Sequence, residues 1–130
     1  MTAPHSVVVV DDQAPFRQAA KAVLRRLTGF EFAGEASSGS EAIELVDTLR
    51  PDLVLMDINM PDMGGIEATR RIVSAHPGVV VFLCSTYDVE DLPPGAADSG
   101  ASAYVNKERF GAEVLRRLSA DRGEAPFLTA

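Results

Sequence analysis

The stretch "SVVVVDDQAP", Ser6 to Pro15, runs four branched apolar residues into two adjacent aspartates and then a proline. Four valines in a row suit a strand buried on both faces, which is the habit of parallel sheets rather than of half-exposed antiparallel ones. Pro15 stands near the first turn of the segment "APFRQAAKAVLRRL", where a missing N–H costs nothing. A strand, a short acidic turn and a helix are thus legible within one stretch, and the rest of the chain repeats that rhythm.

Apolar runs of strand length recur at Phe30 to Ala36, Leu53 to Met56, Val79 to Cys84 and Ala103 to Val105. All are nearly continuous in apolar residues except "FEFAGEA" (30–36), whose alternation marks an edge strand. Between them lie helical segments. The first places Phe16, Ala19, Ala20, Val23, Leu24 and Leu27 on one stripe and stops at Gly29. "SEAIELVDTLR" starts on a serine cap and ends before Pro51, and "GIEATRRIVSAH" ends before Pro77. "FGAEVLRRLSA" (110–120) is the last amphipathic helix. In "DVEDLPPGAADSG", Pro93, Pro94 and Gly95 confine any helix to about Pro94 to Ser99. The alternation predicts an α/β fold, a (βα)5 doubly wound five-stranded parallel sheet with a shortened or irregular fourth helix.

The chain has 130 residues, room for one domain; residues 1–122 are assigned to it and 123–130 to a C-terminal tail with no effector domain. No apolar run reaches the roughly 20 residues that span a bilayer, and no basic segment precedes the first apolar stretch, so a cytoplasmic location without membrane contact is expected. The single cysteine, Cys84, lies in an apolar run and reads as a buried core residue. A net charge of −7 argues against direct nucleic-acid binding by this chain. Among 12 basic residues only Lys21 and Lys107 are lysine, so each lysine calls for a reason.

In open α/β sheets, functional groups collect beyond the carboxyl ends of the strands. That rule selects Asp11 and Asp12 after the first strand, Asp57 after the third, Ser85 and Thr86 after the fourth, and Asn106 and Lys107 after the fifth. Each has an ordinary alternative: a cap, a turn or a solvated surface residue. Convergence of all of them on one sheet edge is less easily explained that way. Two carboxylates about 4 Å apart repel by roughly 4 kcal/mol at an effective dielectric near 20, so three together need a counter-ion. An all-oxygen set with few protein ligands suits Mg²⁺, with Mn²⁺ possible by the same chemistry. One aspartate could then act as nucleophile toward a phosphoryl group, with a hydroxyl and a lysine on the phosphoryl oxygens.

"VVVVDDQ", "LVLMDINMPDMGG", "VVFLCSTYD" and "GASAYVNK", in that order, resemble the receiver (response regulator, CheY-like) domain of two-component signal transduction over about residues 6 to 120. The wording of "RPDLVLMDINMPDMGGIEATRRI" is closest to the NarL/LuxR-type branch. The resemblance implies a flavodoxin-like strand order of 2-1-3-4-5, the order the family shares with flavodoxin. It also implies that Asp57 accepts a phosphoryl group from a sensor histidine kinase and slowly loses it. Asp12 and Asp57 would ligate Mg²⁺ with the main-chain carbonyl of Asn59, and Asp11 would act through a water. Ser85, with Thr86 as the other register, and Lys107 match the phosphate-contacting positions, and Tyr104 matches an aromatic switch that turns inward. Asn59 and Tyr87 flank the approach of water to Asp57.

The expected function is a phosphorylation-dependent signalling switch, a stand-alone single-domain response regulator acting on an unknown downstream protein. It would catalyse its own phosphorylation and dephosphorylation without turning over small substrates. Alternatives are an inert pseudo-receiver acting by protein contacts alone, or the N-terminal fragment of a helix-turn-helix DNA-binding regulator. A homodimer is a family expectation weakened by "DLPPG". A haloacid-dehalogenase-type phosphatase is disfavoured because Asn59 stands where that chemistry needs a second aspartate. No glycine-rich phosphate loop follows any strand. His5 and His76 have no partners for zinc, and His76 reads as helix-end chemistry beside Pro77.

Overall fold

The computed structural model describes residues 4–121 and 128–129. Val7 to Val10 of β1 (His5–Val10) are fully buried, the strand pairing on one side with β2 (Phe30–Ala36) and on the other with β3 (Leu53–Asp57). β4 (Val80–Ser85) and β5 (Ala103–Asn106) follow outward, and every pairing is parallel. The order is β2-β1-β3-β4-β5 with a two-residue strand, β6 (Leu128–Thr129), added beside β5. Helices α1 (Ala14–Arg26), α2 (Gly39–Leu49), α3 (Gly65–Ala75) and α4 (Ala112–Asp121) connect and cover the strands. The flavodoxin-like order 2-1-3-4-5 that the resemblance implies is therefore the observed one, with four α-helices among the described residues in place of five.

Period two decides which helix each strand residue meets. Val8, Val10, Val54, Met56, Val81, Leu83 and Tyr104 face the layer of α2 and α3, against Ala42, Val46, Ala68 and Ile72. Val7, Val9, Leu53, Leu55, Phe82, Cys84 and Val105 face the opposite layer, against Ala20 and Leu24 of α1 and Leu115 and Leu118 of α4. Each such side chain, fully buried, contributes roughly 1.5–3 kcal/mol. Continuous apolar strands are what this double coverage requires. Cys84 is buried as expected, and burial pushes its thiol up to about 12.

Several expectations need correction. Only four α-helices occur among the described residues, and none covers Pro94–Ser99. A single 3-10 turn forms earlier, at Val89–Asp91, and residues 94–100 are turns and bends. Gly95 adopts φ +89°, closed to a helix, and a Cβ there would stand 2.3 Å from the Arg70 guanidinium. Ser99 then folds its hydroxyl onto the Ala96 carbonyl at 2.7 Å, competing with helical bonding. The cap of α2 is Ser38, whose hydroxyl accepts from the Glu41 amide at 3.2 Å, so the helix begins ahead of Ser40. α4 starts two residues later than read because Lys107–Arg109 form a 3-10 turn.

On α1, Ala19 is exposed although it falls on the apolar stripe. β2 is an edge strand, but its register slips between Val7 and Val8 of β1, so its alternation does not translate into alternating burial and Phe32 remains 36% exposed. His76 caps α3 and also meets Asp47 of α2 at 2.7 Å. Of the tail, residues 123–127 and 130 lie outside the described residues, and Leu128–Thr129 form a strand for which the residues carry no signal. No helix among the described residues is long and apolar enough to cross a membrane.

Candidate functional site

Strand register brings the chosen residues together. Val10 pairs with Met56, which sets Asp11 beside Asp57; Asp57 pairs with Cys84, and Ser85 with Asn106. Oxygen atoms of Asp11, Asp12 and Asp57 all lie within 4.8 Å of one another. Asp12, Gln13, Asp57, Asn59, Ser85, Thr86 and Lys107 line one open cleft of about 210 Å³ above them.

The two neighbouring aspartates differ. Asp11 is fully buried. Its Oδ1 accepts the Gln13 amide at 2.8 Å, so it closes the turn into α1, whose Gln13 cap offers no side-chain bond of its own. Its Oδ2 faces the Lys107 ammonium at 2.6 Å, an ion pair, with no directed hydrogen bond. Asp11 is thus both the turn residue and a member of the charge cluster, two readings that looked like rivals. Asp12 is exposed at the cleft mouth.

Asp57 is 4% exposed, with Lys107 Nζ 3.3 Å from Oδ1. Burial first, and then the charge of Asp11, push its carboxyl up to about 6 against the pull of Lys107. Burial alone would lower the Lys107 pKa, but its contact with Asp11 and the charges of Asp57 and Asp11 carry it above the ordinary lysine value. The ammonium lies 4.8 Å over the Phe16 ring, which packs edge-on against Phe110. That aromatic pair holds the rare lysine between two acids, a site for a compact cation. Three carboxylates face one ammonium, so the site is short of positive charge and its all-oxygen donors fit a hard divalent ion.

α3 approaches this edge closely. The Gly65 amide donates to the Ile58 carbonyl at 2.8 Å, and a Cβ on Gly65 would stand 1.9 Å from the Asp57 carbonyl oxygen. Only glycine fits there.

Ser85 is buried and Thr86 exposed. Ser85 Oγ accepts the Tyr87 amide at 3.2 Å and shares a hydrogen bond with the Tyr104 hydroxyl at 2.9 Å. Tyr104 is fully buried, already inward, and its hydroxyl lies 2.6 Å from the Tyr87 carbonyl and 3.0 Å from that of Ser85. Tyr104 thus occupies an inward position in this structure. Asn59 is exposed, and its Nδ2 donates to the Tyr87 hydroxyl at 3.0 Å, spanning the cleft mouth. Sequence reasoning missed Gln13, whose part is played by its main-chain amide, for which residue type gives no signal.

The response regulator receiver domain model matches residues 7–119. The transcriptional regulatory protein DegU of Brevibacillus brevis is 39% identical over 78% of this chain and 43% of its own length. The chemotaxis protein CheY of Thermotoga maritima is 35% identical over 87% of this chain and 93% of its own. Among solved structures, the receiver domain of the response regulator NarL from Mycobacterium tuberculosis superimposes with a TM-score of 0.83 at 28% identity, covering 92% of this chain and 96% of that one. The chain spans less than half of DegU and nearly all of CheY. With most of its length matched and its strand order shared, this chain belongs to the response regulator receiver domain family.

Proposed function

We propose that this domain is a phosphorylation-dependent switch that takes a phosphoryl group on Asp57 from the phosphohistidine of a sensor histidine kinase and later releases it by hydrolysis. The observation that carries the reading is Asp57 itself: a buried carboxylate whose side chain opens on a polar cleft beside one lysine and two further acids. With its pKa at about 6, the carboxyl is ionised at neutral pH and available as a nucleophile. An Asp57 oxygen attacks phosphorus, an acyl phosphate bond forms, and the phosphorus–nitrogen bond to the donor imidazole breaks. Lys107 neutralises one phosphoryl oxygen. Ser85 reaches a second by giving up its hydrogen bond to Tyr104, which is how the phosphoryl group would be felt at β5. Hydrolysis reverses the bond change with water as acceptor, and the Asn59–Tyr87 bridge restricts its approach.

Mg²⁺, or Mn²⁺, would be held by Asp12 and Asp57 with the main-chain carbonyl of Asn59, and by Asp11 through a water. Bound there, the ion supplies the positive charge that the carboxylates and phosphoryl oxygens together lack. The output partner would be a protein, reached through the β5–β6 side of the sheet and the segment before β5.

The test is to incubate the protein with Mg²⁺ and acetyl phosphate and follow intact mass, with peptide mapping to locate the modification. One phosphoryl group on Asp57, absent in Asp57→Asn and without Mg²⁺, is the expected result. No modification, together with no change in tyrosine fluorescence on adding the phosphoryl mimic beryllium fluoride, would leave the domain an inert protein-contact module.

A further inference from the structure

Beside the acidic turn lies a second charged assembly that none of this chemistry uses. Arg17, on the first turns of α1, donates from Nη1 to the main-chain carbonyl of Asp11 at 2.6 Å. The same guanidinium donates from Nε to Glu35 Oε1 at 2.7 Å, at the end of β2. The other Glu35 oxygen, Oε2, takes the Lys21 ammonium, which also lies 5.0 Å over the Phe32 ring. Lys21 and Arg17 hold the Glu35 carboxyl below the usual glutamate range. The side chains of Arg17 and Lys21 are 19% and 15% exposed and that of Glu35 is 33% exposed, so this network is partly sheltered from water.

The Asp11 carbonyl belongs to the peptide that leads into Asp12. Every other polar group of Asp11 is also fixed: its amide donates to the Ala36 carbonyl at 3.0 Å, Oδ1 accepts from Gln13, and Oδ2 faces Lys107. Arg17 supplies the remaining restraint, on the peptide plane that aims the exposed Asp12 carboxylate.

We infer that Arg17, clamped by Glu35, is a positioning residue for divalent-cation binding: it orients the Asp11–Asp12 peptide so that the Asp12 carboxylate faces the cleft. The inference rests on the reading of the acidic cleft as a Mg²⁺ site. A planar guanidinium suits this work because one rigid fork bonds a carbonyl and a carboxylate at once, which an ammonium cannot do. Lys21 acts one step further out by steadying Glu35. Outer-shell partners of this kind typically govern metal affinity by factors of 10 to 100.

Electrostatics alone predicts the opposite sign, which makes the assignment testable. Arg17 is a cation close to a cation site, so on charge grounds removing it would tighten Mg²⁺ binding. Mg²⁺ dissociation constants are measured by isothermal titration calorimetry on the 130-residue chain, with Mn²⁺ electron paramagnetic resonance as an independent readout. Thermal unfolding in EDTA confirms that each variant is folded at the titration temperature. Positioning predicts roughly tenfold weaker binding for Arg17→Gln and a similar loss for Arg17→Lys, which keeps the charge but not the fork. Glu35→Gln, which keeps an acceptor for Arg17, stays within about threefold of wild type, whereas Glu35→Ala weakens binding as Arg17→Gln does. Folded Arg17→Gln binding Mg²⁺ as tightly as wild type, or more tightly, overturns the assignment and leaves the cation site standing. Wild type that binds no divalent ion removes the cation site, and this role of Arg17 with it.

Discussion

Replacing Asp57 by asparagine should stabilise the metal-free domain at neutral pH. Its carboxyl is buried and raised from an ordinary 3.8 to about 6, so the ionised form is the one that folding disfavours. At about 1.4 kcal/mol per pH unit, that rise amounts to about 3 kcal/mol at neutral pH, with the attraction of Lys107 already included. A folded pKa above the unfolded one gives stability that is complete below the unfolded value and lost as pH rises through the folded one. Asparagine keeps the shape of the protonated acid and has no charge to lose. The variant's advantage should thus grow from roughly 1 kcal/mol near pH 4.5 to about 3 kcal/mol near pH 7.5. In a domain of this size the larger figure corresponds to a midpoint about 10 °C higher. Urea unfolding in EDTA at the two pH values measures it directly. Mg²⁺ should then stabilise wild type more than the variant, by about 2.7 kcal/mol at one hundred times the dissociation constant if the variant has lost the site. A variant no more stable than wild type near pH 7.5, or an advantage that does not change with pH, would refute the claim that this carboxylate is held charged at a cost.

Three further outcomes follow from contacts at the same edge. Tyr87→Ala removes the hydrogen bond that Asn59 makes across the cleft mouth, so phosphoryl loss from Asp57 should accelerate several-fold in an acid-quench time course; an unchanged lifetime would refute the bridge as a barrier to water. Asp12→Ala should weaken Mg²⁺ binding more than Asp11→Ala, because Asp11 is already engaged by Lys107 and the Gln13 amide while Asp12 is exposed; calorimetry giving the reverse order would exchange their roles. Gly65→Ala should cost about 3 kcal/mol or more in urea unfolding, since its Cβ would stand 1.9 Å from the Asp57 carbonyl oxygen and neither backbone can yield; a near-neutral change would mean α3 is free to back away.

What the sequence disclosed follows from which signals are local. Continuous apolar strands, a proline at the head of α1 and acids at strand ends are each contained within a few residues, and topology places those ends on one edge whatever the side-chain details. The signals that failed depend on distant partners. "FEFAGEA" alternates as a half-buried strand should, but the slip opposite Val7 and Val8 is a property of the pairing and left Phe32 half out of the sheet. Ser38 and Ser40 are equally good caps by type; Glu41 decides for Ser38, because its amide donates to the Ser38 hydroxyl while its carboxylate accepts the amide of Ser37 at 2.8 Å. β6 has two residues, too few to show a period. Arg17 and Glu35 are 18 positions apart, and only the β1–β2 pairing shows that they meet.

The segment between β4 and β5 bears on how a switch here could be read out. With no α-helix in that segment, residues 88–102 are held piecewise: Ala96, Ser99 and Ala101 are buried, a Cβ on Gly100 would meet Val73, and the Ser102 amide returns to the Val81 carbonyl at 2.8 Å. Its start is tied to the site itself, because the Tyr87 carbonyl accepts both the Tyr104 hydroxyl at 2.6 Å and Asn106 Nδ2 at 3.1 Å. If Ser85 leaves Tyr104 for a phosphoryl oxygen, the hydroxyl keeps its carbonyl partners at Ser85 and Tyr87, so the tyrosine need not swing outward. The change would instead pass to the main chain at residues 85–87 and along β5. There Ala103 and Tyr104 pair directly with Leu128 and Thr129 of β6. In this chain the proposed signal would reach the sheet edge as an altered strand pairing, where a domain with a full fourth helix could answer by moving that helix.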